Sequence, residues 1–234
     1  MTADLYDKEV KCPVCDAVFT TKKVKTSAIR VDKRDTDFCA HYKGENPTFY
    51  GVIVCPKCGY SSFETDYLKV SNAQIAQVRA KVLANWGGKD YGGKRLLPDA
   101  IEAHKMAILN FNVMGYRKTA IAKACLRIAW FYRMQGDVEK ELQFLQHALS
   151  NYETAYSTEN IEEDPDGEAV ILYLMGELNR MLGKYSASVR WFDMALKHPD
   201  LQEMKNVITM AKDQRYAASE AFRKEKEAMK NGNA

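Results

Sequence analysis

The pattern of apolar and polar positions changes character near residue 70. Before it, two short stretches rich in β-branched and aromatic residues, 22–31 and 48–54, predict β-strands separated by a polar loop. After it, apolar residues recur with the period of an α-helix. The sequence therefore predicts an α+β protein that is mostly α, with a small β domain at 1–69 and a helical domain at 70–234.

Helices follow one another through the second part of the chain. Ser71 is suited to cap the first of them, Pro98 fits the first turn of the next, and GGKDYGG (87–93) separates the two as a linker. The predicted helices cover 72–86, 98–114, 117–135, 138–156, 167–182, 185–197 and 201 to about 230.

Two segments of the helical part resemble each other. RIAWFYRMQGDVEKELQFLQHAL (127–149) and YLMGELNRMLGKYSASVRWFDMAL (173–196) each place a small residue, Ala129 or Gly176, seven positions before a glycine turn, and a second helix follows the turn. Small residues where two helices cross closely, with large residues filling the space beside them, are typical of tetratricopeptide repeats. The pattern predicts an α-α superhelix of tetratricopeptide-like repeats that ends in a capping helix.

Composition and charge narrow the class of protein. Apolar residues make up 46% of the chain and charged residues 28%, which is ordinary globular composition, and the net charge of +3 is small for a dedicated nucleic-acid binder. No apolar run reaches the ~18 residues of a membrane span, and the polar first ten residues do not resemble a signal peptide. We expect a cytoplasmic protein without a membrane partner.

Four of the six cysteines form two Cys-x2-Cys pairs separated by 39 residues. The pairs are Cys12 with Cys15 and Cys55 with Cys58. In a reducing compartment such pairs bind metal more often than they form disulfides, and four thiolates complete the tetrahedral shell of zinc. The prediction is a zinc-ribbon-like domain with a structural Zn²⁺. Iron is the alternative metal, because an all-thiolate site accepts either ion.

A further cysteine lies in the loop between the two pairs. The string DTDFCAHY places Cys39 and His41 near Asp35 and Asp37. Two interpretations are open. In the first, these side chains form a second metal or redox site; in the second, Cys39 is a buried loop thiol and the aspartates form a turn. The second interpretation is preferred, because the two pairs already complete a tetrahedron. Cys125, on a predicted repeat helix, is interpreted as a core residue.

No catalytic motif is found along the chain. The four histidines are scattered, and HExxH, GxSxG and P-loop patterns are absent. We therefore expect a non-enzymatic adaptor or scaffold whose concave repeat surface binds a peptide or protein partner. The residues expected on that surface are Lys123, Leu126, Trp130, Arg133, Tyr173, Glu177 and Arg180.

The alternative function is association with nucleic acid through the basic run at 22–34. Six positive charges fall within thirteen residues, namely Lys22, Lys23, Lys25, Arg30, Lys33 and Arg34. Asp32 lies within the run and Asp35 and Asp37 follow it directly, so this alternative is less favoured than the adaptor. Binding of this kind weakens steeply as the salt concentration rises.

Several strings of the chain together resemble one bacterial family. RDTDFC, VCPKCGY, CLRIAWFYRMQGDVEKELQFLQHAL and YLMGELNRMLGKYSASVRWF are similar to the bacterial proteins grouped as domain of unknown function 2225. The resemblance covers nearly the whole chain and implies a bacterial cytoplasmic protein with a ribbon-like N-terminal part followed by helical repeats. It implies no activity, and it places Asp35, Asp37 and Cys39 in a family motif without assigning them a role.

Overall fold

The computed structural model describes residues 4–232, which form six β-strands and eight α-helices. The strands are β1 (Leu5–Lys11), β2 (Val18–Val24), β3 (Val31–Arg34), β4 (Ala40–Tyr42), β5 (Val52–Val54) and β6 (Ser61–Phe63). The helices are α1 (Asn72–Lys81), α2 (Leu97–Val113), α3 (Lys118–Gln135), α4 (Val138–Thr158), α5 (Glu168–Met181), α6 (Tyr185–Lys197), α7 (Pro199–Glu203) and α8 (Lys205–Gly232). The fold is α+β and mostly α, as predicted.

The strands pair as three separate antiparallel hairpins. β1 pairs with β2 from Leu5 opposite Val24, β3 with β4, and β5 with β6 from Val52 opposite Phe63. The two predicted strands are therefore an incomplete account, because 22–31 is interrupted by a turn at Thr26–Ala28 and β1 was not predicted. Each cysteine pair lies at the turn of its own hairpin rather than at the ends of two shared strands.

The chain forms two compact units whose boundary differs from the predicted one at residue 70. Among residues 4–232, the first unit contains 4–35 and 39–144, and the second contains 36–38 and 145–232. Helices α1 to α3 belong with the strands because they pack on them. Phe111 of α2 contacts Phe63 of β6 with ring centroids 5.4 Å apart, and Asn110 donates to the Ser61 hydroxyl at 2.7 Å.

The segment predicted to be a linker is built into the first unit. Lys22 N donates to the Gly92 carbonyl at 3.1 Å, so the segment runs beside β2. Arg95 is 3% exposed, and its guanidinium donates to the carbonyls of Phe49 and Val52 at 3.0 and 2.7 Å. A buried guanidinium that satisfies carbonyl groups holds this segment in place.

The second unit contains a closely packed helical hairpin formed by α5 and α6. A Cβ at Gly176 would lie 2.7 Å from the buried ring of Phe192, so only glycine allows the helices this approach. The Ser188 hydroxyl donates to the Gly176 carbonyl at 2.8 Å, and Gly183 makes the turn with φ of 72°. The small residue and the glycine turn act as predicted here, while the tetratricopeptide character of the repeats stays a prediction.

None of the helices of residues 4–232 combines the length and the apolar character that a membrane crossing requires.

Candidate metal centre

The two cysteine pairs converge at one point of the first unit. Cys12 and Cys58 lie with their Sγ atoms 3.6 Å apart, as do Cys15 and Cys55, and all four Sγ atoms lie within 4.8 Å of one another. Four sulfurs bound tetrahedrally at about 2.3 Å from one ion would be separated by roughly 3.8 Å. The arrangement is thus compatible with a four-thiolate metal site, as predicted.

The same backbone turn presents the cysteines in both hairpins. Asp16 N donates to the Cys12 carbonyl at 3.0 Å, and Gly59 N donates to the Cys55 carbonyl at 2.9 Å. Asp16 and Gly59 follow the second cysteine of their pairs and have φ of 59° and 71°. A left-handed residue at this point turns the chain sharply, so that both sulfurs of a pair face the same side.

The ionisation of the cysteines favours a bound cation. Hydrogen bonds from Cys55 and Cys58 hold the pKa of Cys12 well below its usual value, and the same contacts raise the pKa of Cys55 to about 12 and that of Cys58 further. The Cys12 thiolate is therefore stabilised by its thiol neighbours, whereas Cys55 and Cys58 need a positive ion to lose their protons. Metal binding at such a site is coupled to proton release.

Tyr67 places a hydroxyl group beside the cysteines. The residue is 1% exposed, and its hydroxyl has no hydrogen-bond partner of normal geometry among residues 4–232. Burial raises the pKa of Tyr67, and the negative charge of Cys12 raises it further. A neutral hydroxyl in this position favours the deprotonated sulfur that a metal ion requires.

Two side chains from outside the hairpins hold the cysteine turns, and neither was predicted from the sequence. Arg79 of α1 donates from Nε and Nη2 to the Val14 carbonyl at 2.9 and 2.5 Å. Trp86 donates from Nε1 to the Pro56 carbonyl at 2.9 Å, and its ring would lie 2.7 Å from a Cβ on Gly59. Such outer contacts fix the orientation of metal ligands.

The first unit also contains the loop cysteine and its neighbours. Asp35, Cys39 and His41 bring one ligand atom each to within 4.8 Å of the others. Arg133 donates from Nη1 to Asp35 Oδ2 at 3.0 Å and from Nε to Glu141 Oε1 at 2.7 Å. Burial would raise the pKa of Asp35, but hydrogen bonds from His41 and Arg133 outweigh burial, and the pKa is lowered.

The predicted partner surface is only partly open in the first unit. Leu126 is 3% exposed and belongs to the core, so its assignment to the surface is corrected. Lys123, Trp130 and Arg133 are half-buried. Arg133 is engaged by two carboxylates of its own unit, as described above, which makes it a structural residue here.

In the second unit two of the predicted surface residues are buried as well. Tyr173 and Glu177 are fully buried, and both form hydrogen bonds with Thr36. The Tyr173 hydroxyl donates to the Thr36 carbonyl at 2.6 Å, and the Thr36 hydroxyl donates to the Glu177 carboxylate at 2.5 Å. Arg180 donates to both carboxylate oxygens of Glu177, at 2.9 and 2.7 Å. The segment Thr36–Phe38 thus occupies the face that was predicted to bind a partner.

Three of the six basic residues in the run of the first unit lie close to carboxylates. Lys22 pairs with Asp7 at 2.8 Å and Lys23 with Glu64 at 2.6 Å. Lys33 lies 3.8 Å from Asp35. These contacts reduce the positive potential that binding to phosphates would need.

Comparison with known proteins gives a family and one curated relative. The model of a family described as "Uncharacterized protein conserved in bacteria (DUF2225)" matches residues 5–218. An "Uncharacterized protein" of Borreliella burgdorferi is 24% identical over 152 residues, which is 57% of this chain and 53% of the relative. The match thus spans about half the length of that protein. No solved structure matches the chain.

Proposed function

We propose that this chain, which belongs to the DUF2225 family of bacterial proteins, is a non-enzymatic adaptor whose N-terminal hairpins are held together by a structural zinc ion. The convergence of four cysteine sulfurs within 4.8 Å supports this function. Cys12, Cys55 and Cys58 are 0% exposed, so a bound ion has no open position for a substrate. A closed set of four ligands is typical of structural zinc, whereas catalytic zinc keeps a position for water.

The hairpins have a physical need for such an ion. β5 and β6 contain three residues each, and an isolated hairpin of this size is marginally stable in water. One ion bound by Cys12, Cys15, Cys55 and Cys58 joins two hairpins that lie far apart in sequence. Zinc supplies this stabilisation without redox chemistry, and an iron ion in the same ligands is the alternative outcome.

Metal analysis of the purified chain tests the zinc proposal. We expect one zinc equivalent that resists exchange, a colourless protein, and loss of this equivalent in Cys55→Ser. Cys125→Ser is the matched control. Burial raises the pKa of Cys125 to about 12, and Cys125 belongs to neither of the two clusters of metal-ligating residues found among residues 4–232. Unchanged metal content and unchanged stability of Cys55→Ser would show that the assignment is wrong.

The adaptor part of the proposal is supported by exposed apolar residues of the first unit. Val138 and Leu142 lie one helical turn apart on α4 and are 63% and 41% exposed, and Met134 near the end of α3 is 37% exposed. Neighbouring exposed apolar side chains are typical of protein-binding surfaces. The proposed partner is a protein or peptide segment with an apolar face.

Affinity capture with nuclease-treated and untreated arms tests the partner. We expect a defined protein in both arms with the wild-type chain, and its loss with Val138→Ser/Leu142→Ser. Leu68→Ser, which changes a residue 72% exposed in the same unit, is the control for a general effect of removing exposed leucine. Material that is recovered only without nuclease, and that the double variant still captures, would instead favour the nucleic-acid alternative.

A further inference from the structure

The hairpin formed by β3 and β4 carries three different metal-ligating side chains on one face. His41 pairs with Lys33 and Ala40 with Arg34, and Asp35 N donates to the Cys39 carbonyl at 2.8 Å, so Asp35 lies opposite Cys39. Side chains two residues apart on a strand share a face, which places His41 beside Cys39. The pleat of the hairpin therefore brings Asp35, Cys39 and His41 together.

The turn of this hairpin contains a strained residue. Residues 36–38 join the paired positions, and Phe38 has φ of 69°. A left-handed third residue is the usual conformation of a three-residue hairpin turn, where glycine is preferred. A bulky residue in this conformation is strained, because its Cβ comes close to the following carbonyl oxygen. The chain accepts this strain while keeping Asp35 opposite Cys39.

The three ligand atoms are close enough to share one ion. They lie within 4.8 Å of one another, and His41 Nε2 is 2.7 Å from Asp35 Oδ2. Cys39 is 0% exposed, and the side chains of Asp35 and His41 are 27% and 31% exposed. The cluster therefore has a buried sulfur on one side and solvent access on the other.

We propose that Asp35, Cys39 and His41 bind a second metal ion, a divalent first-row transition metal. A thiolate, an imidazole and a carboxylate are all ligands of zinc, and three protein ligands leave one position of a tetrahedron open. The thiolate and the carboxylate balance the two positive charges of the ion. Arg133 contacts Asp35 and Glu141, and a hydrogen bond to a ligating carboxylate is the common outer partner of such sites.

A cleft of the first unit borders the proposed site at His41. It has a volume of about 460 Å³ and is lined by His41, Phe49, Lys94, Leu97 and Met134 among other residues. Water or a small anion from the cleft would fill the open position. The site thus differs from the four-cysteine centre, whose sulfurs complete the shell of their ion.

Equilibrium dialysis of the full chain against buffered free Zn²⁺, followed by metal analysis, tests the proposal. We expect two zinc equivalents in the wild-type chain and one in His41→Gln. Zinc affinity at the second site should fall by ~100-fold or more, because loss of an outer contact to a ligand alone lowers metal affinity by about 10–100-fold. His147→Gln changes an exposed histidine of α4 and should retain two.

A second variant protects the test against a folding defect. Cys39→Ser should also bind one equivalent, and the zinc that resists exchange should stay in both variants, which shows that the four-cysteine centre is intact. One equivalent in the wild-type chain, or two in His41→Gln, would overturn the second site. Loss of the exchange-resistant zinc equivalent in Cys55→Ser reports on the four-cysteine centre separately.

Discussion

His104 of α2 is a buried histidine with a hydrogen bond at one ring nitrogen and aromatic neighbours around the ring. It is 0% exposed, its Nδ1 donates to the Ala100 carbonyl at 2.8 Å, and its ring meets Phe131 edge-on at 5.0 Å. Nε2 has no hydrogen-bond partner among residues 4–232. Burial lowers the pKa of His104 to about 3, and the charges of Arg127 and Arg95 act in the same direction. The side chain is therefore neutral in the folded protein.

We predict that His104 makes the first unit less stable in mild acid. The unfolded chain binds a proton near pH 6.5 and the folded chain only near pH 3, so stability falls as the pH drops between these values. At pH 5 the loss attributable to this residue is about 2 kcal/mol relative to pH 7. Denaturant unfolding at both pH values measures it.

The control for this prediction is His104→Phe, which suits the aromatic surroundings but does not titrate. Between pH 7 and pH 5 the unfolding free energy of both proteins should fall, and the fall should be about 2 kcal/mol smaller in His104→Phe than in the wild-type chain. Equal pH dependence of the two proteins would mean that His104 is protonated in the folded state or does not contribute.

At the level of the element, the two cysteine turns share a conformation but differ in surroundings. Gly59 packs under the ring of Trp86, whereas Asp16 is exposed and forms an ion pair with Lys11 in which both side chains are mostly in solvent. Such an exposed pair contributes little stability. Substitution of the left-handed residue should therefore have a larger effect in the β5–β6 hairpin than in the β1–β2 hairpin.

We predict that Gly59→Ala destabilises the β5–β6 hairpin and that Asp16→Gly is tolerated. An alanine at Gly59 costs about 1–2 kcal/mol for its left-handed backbone, and its Cβ would lie 2.7 Å from Trp86, which adds overpacking of about 1–3 kcal/mol. Glycine suits the conformation of Asp16. Thermal unfolding and the rate of zinc loss to a chelator are the measurements; equal behaviour of the two variants would contradict the prediction.

The sequence predicted the helices better than the strands, for a local reason. Ser71 caps α1 through a reciprocal pair of hydrogen bonds with Gln74, and Gly136 ends α3 with φ of 78°, so both boundaries are encoded within a few residues. β1 was missed because LYDKEVK is mostly charged, and its pairing with β2 is recognisable only once both strands are placed. Short hairpins depend on contacts that a single segment does not contain.

The ligands of the candidate metal centre could be predicted from the sequence, but the side chains that hold the cysteine turns in place could not. The spacing of Cys12, Cys15, Cys55 and Cys58 is a local signal, whereas Arg79 and Trp86 reach the turns only through the packing of α1 and the segment after it. Tyr173 and Glu177 were assigned to an open surface because periodicity shows a helical face without showing what covers it. In the structure, Thr36 is bound there.

At the scale of the whole molecule, the two units depend on different sources of stability. The first contains small hairpins joined through the four cysteines, and the second contains a helical hairpin whose core includes Gly176, Ser188 and Phe192. Metal binding to such a site is part of the free energy of folding. The helical hairpin needs no ion for its own packing.

We predict that removal of the metal by a chelator affects the units unequally. Amide hydrogen exchange in β1, β2 and β5 should rise by roughly 100-fold or more, which corresponds to a loss of about 2.8 kcal/mol. Exchange in α5 and α6 should change little. Mass spectrometry of peptides from both regions, with and without added zinc, measures this, and equal acceleration in both would contradict it.

The separation of the cysteine pairs along the chain has a consequence during protein synthesis. The 39 residues between Cys15 and Cys55 take roughly 2–8 s to translate at ~5–20 residues per second. Throughout this interval the first hairpin offers two thiols without their partners. If the four sulfurs bind one ion as proposed, the newly made chain must keep Cys12 and Cys15 reduced until Cys55 and Cys58 emerge, because only then can the hairpins close around it.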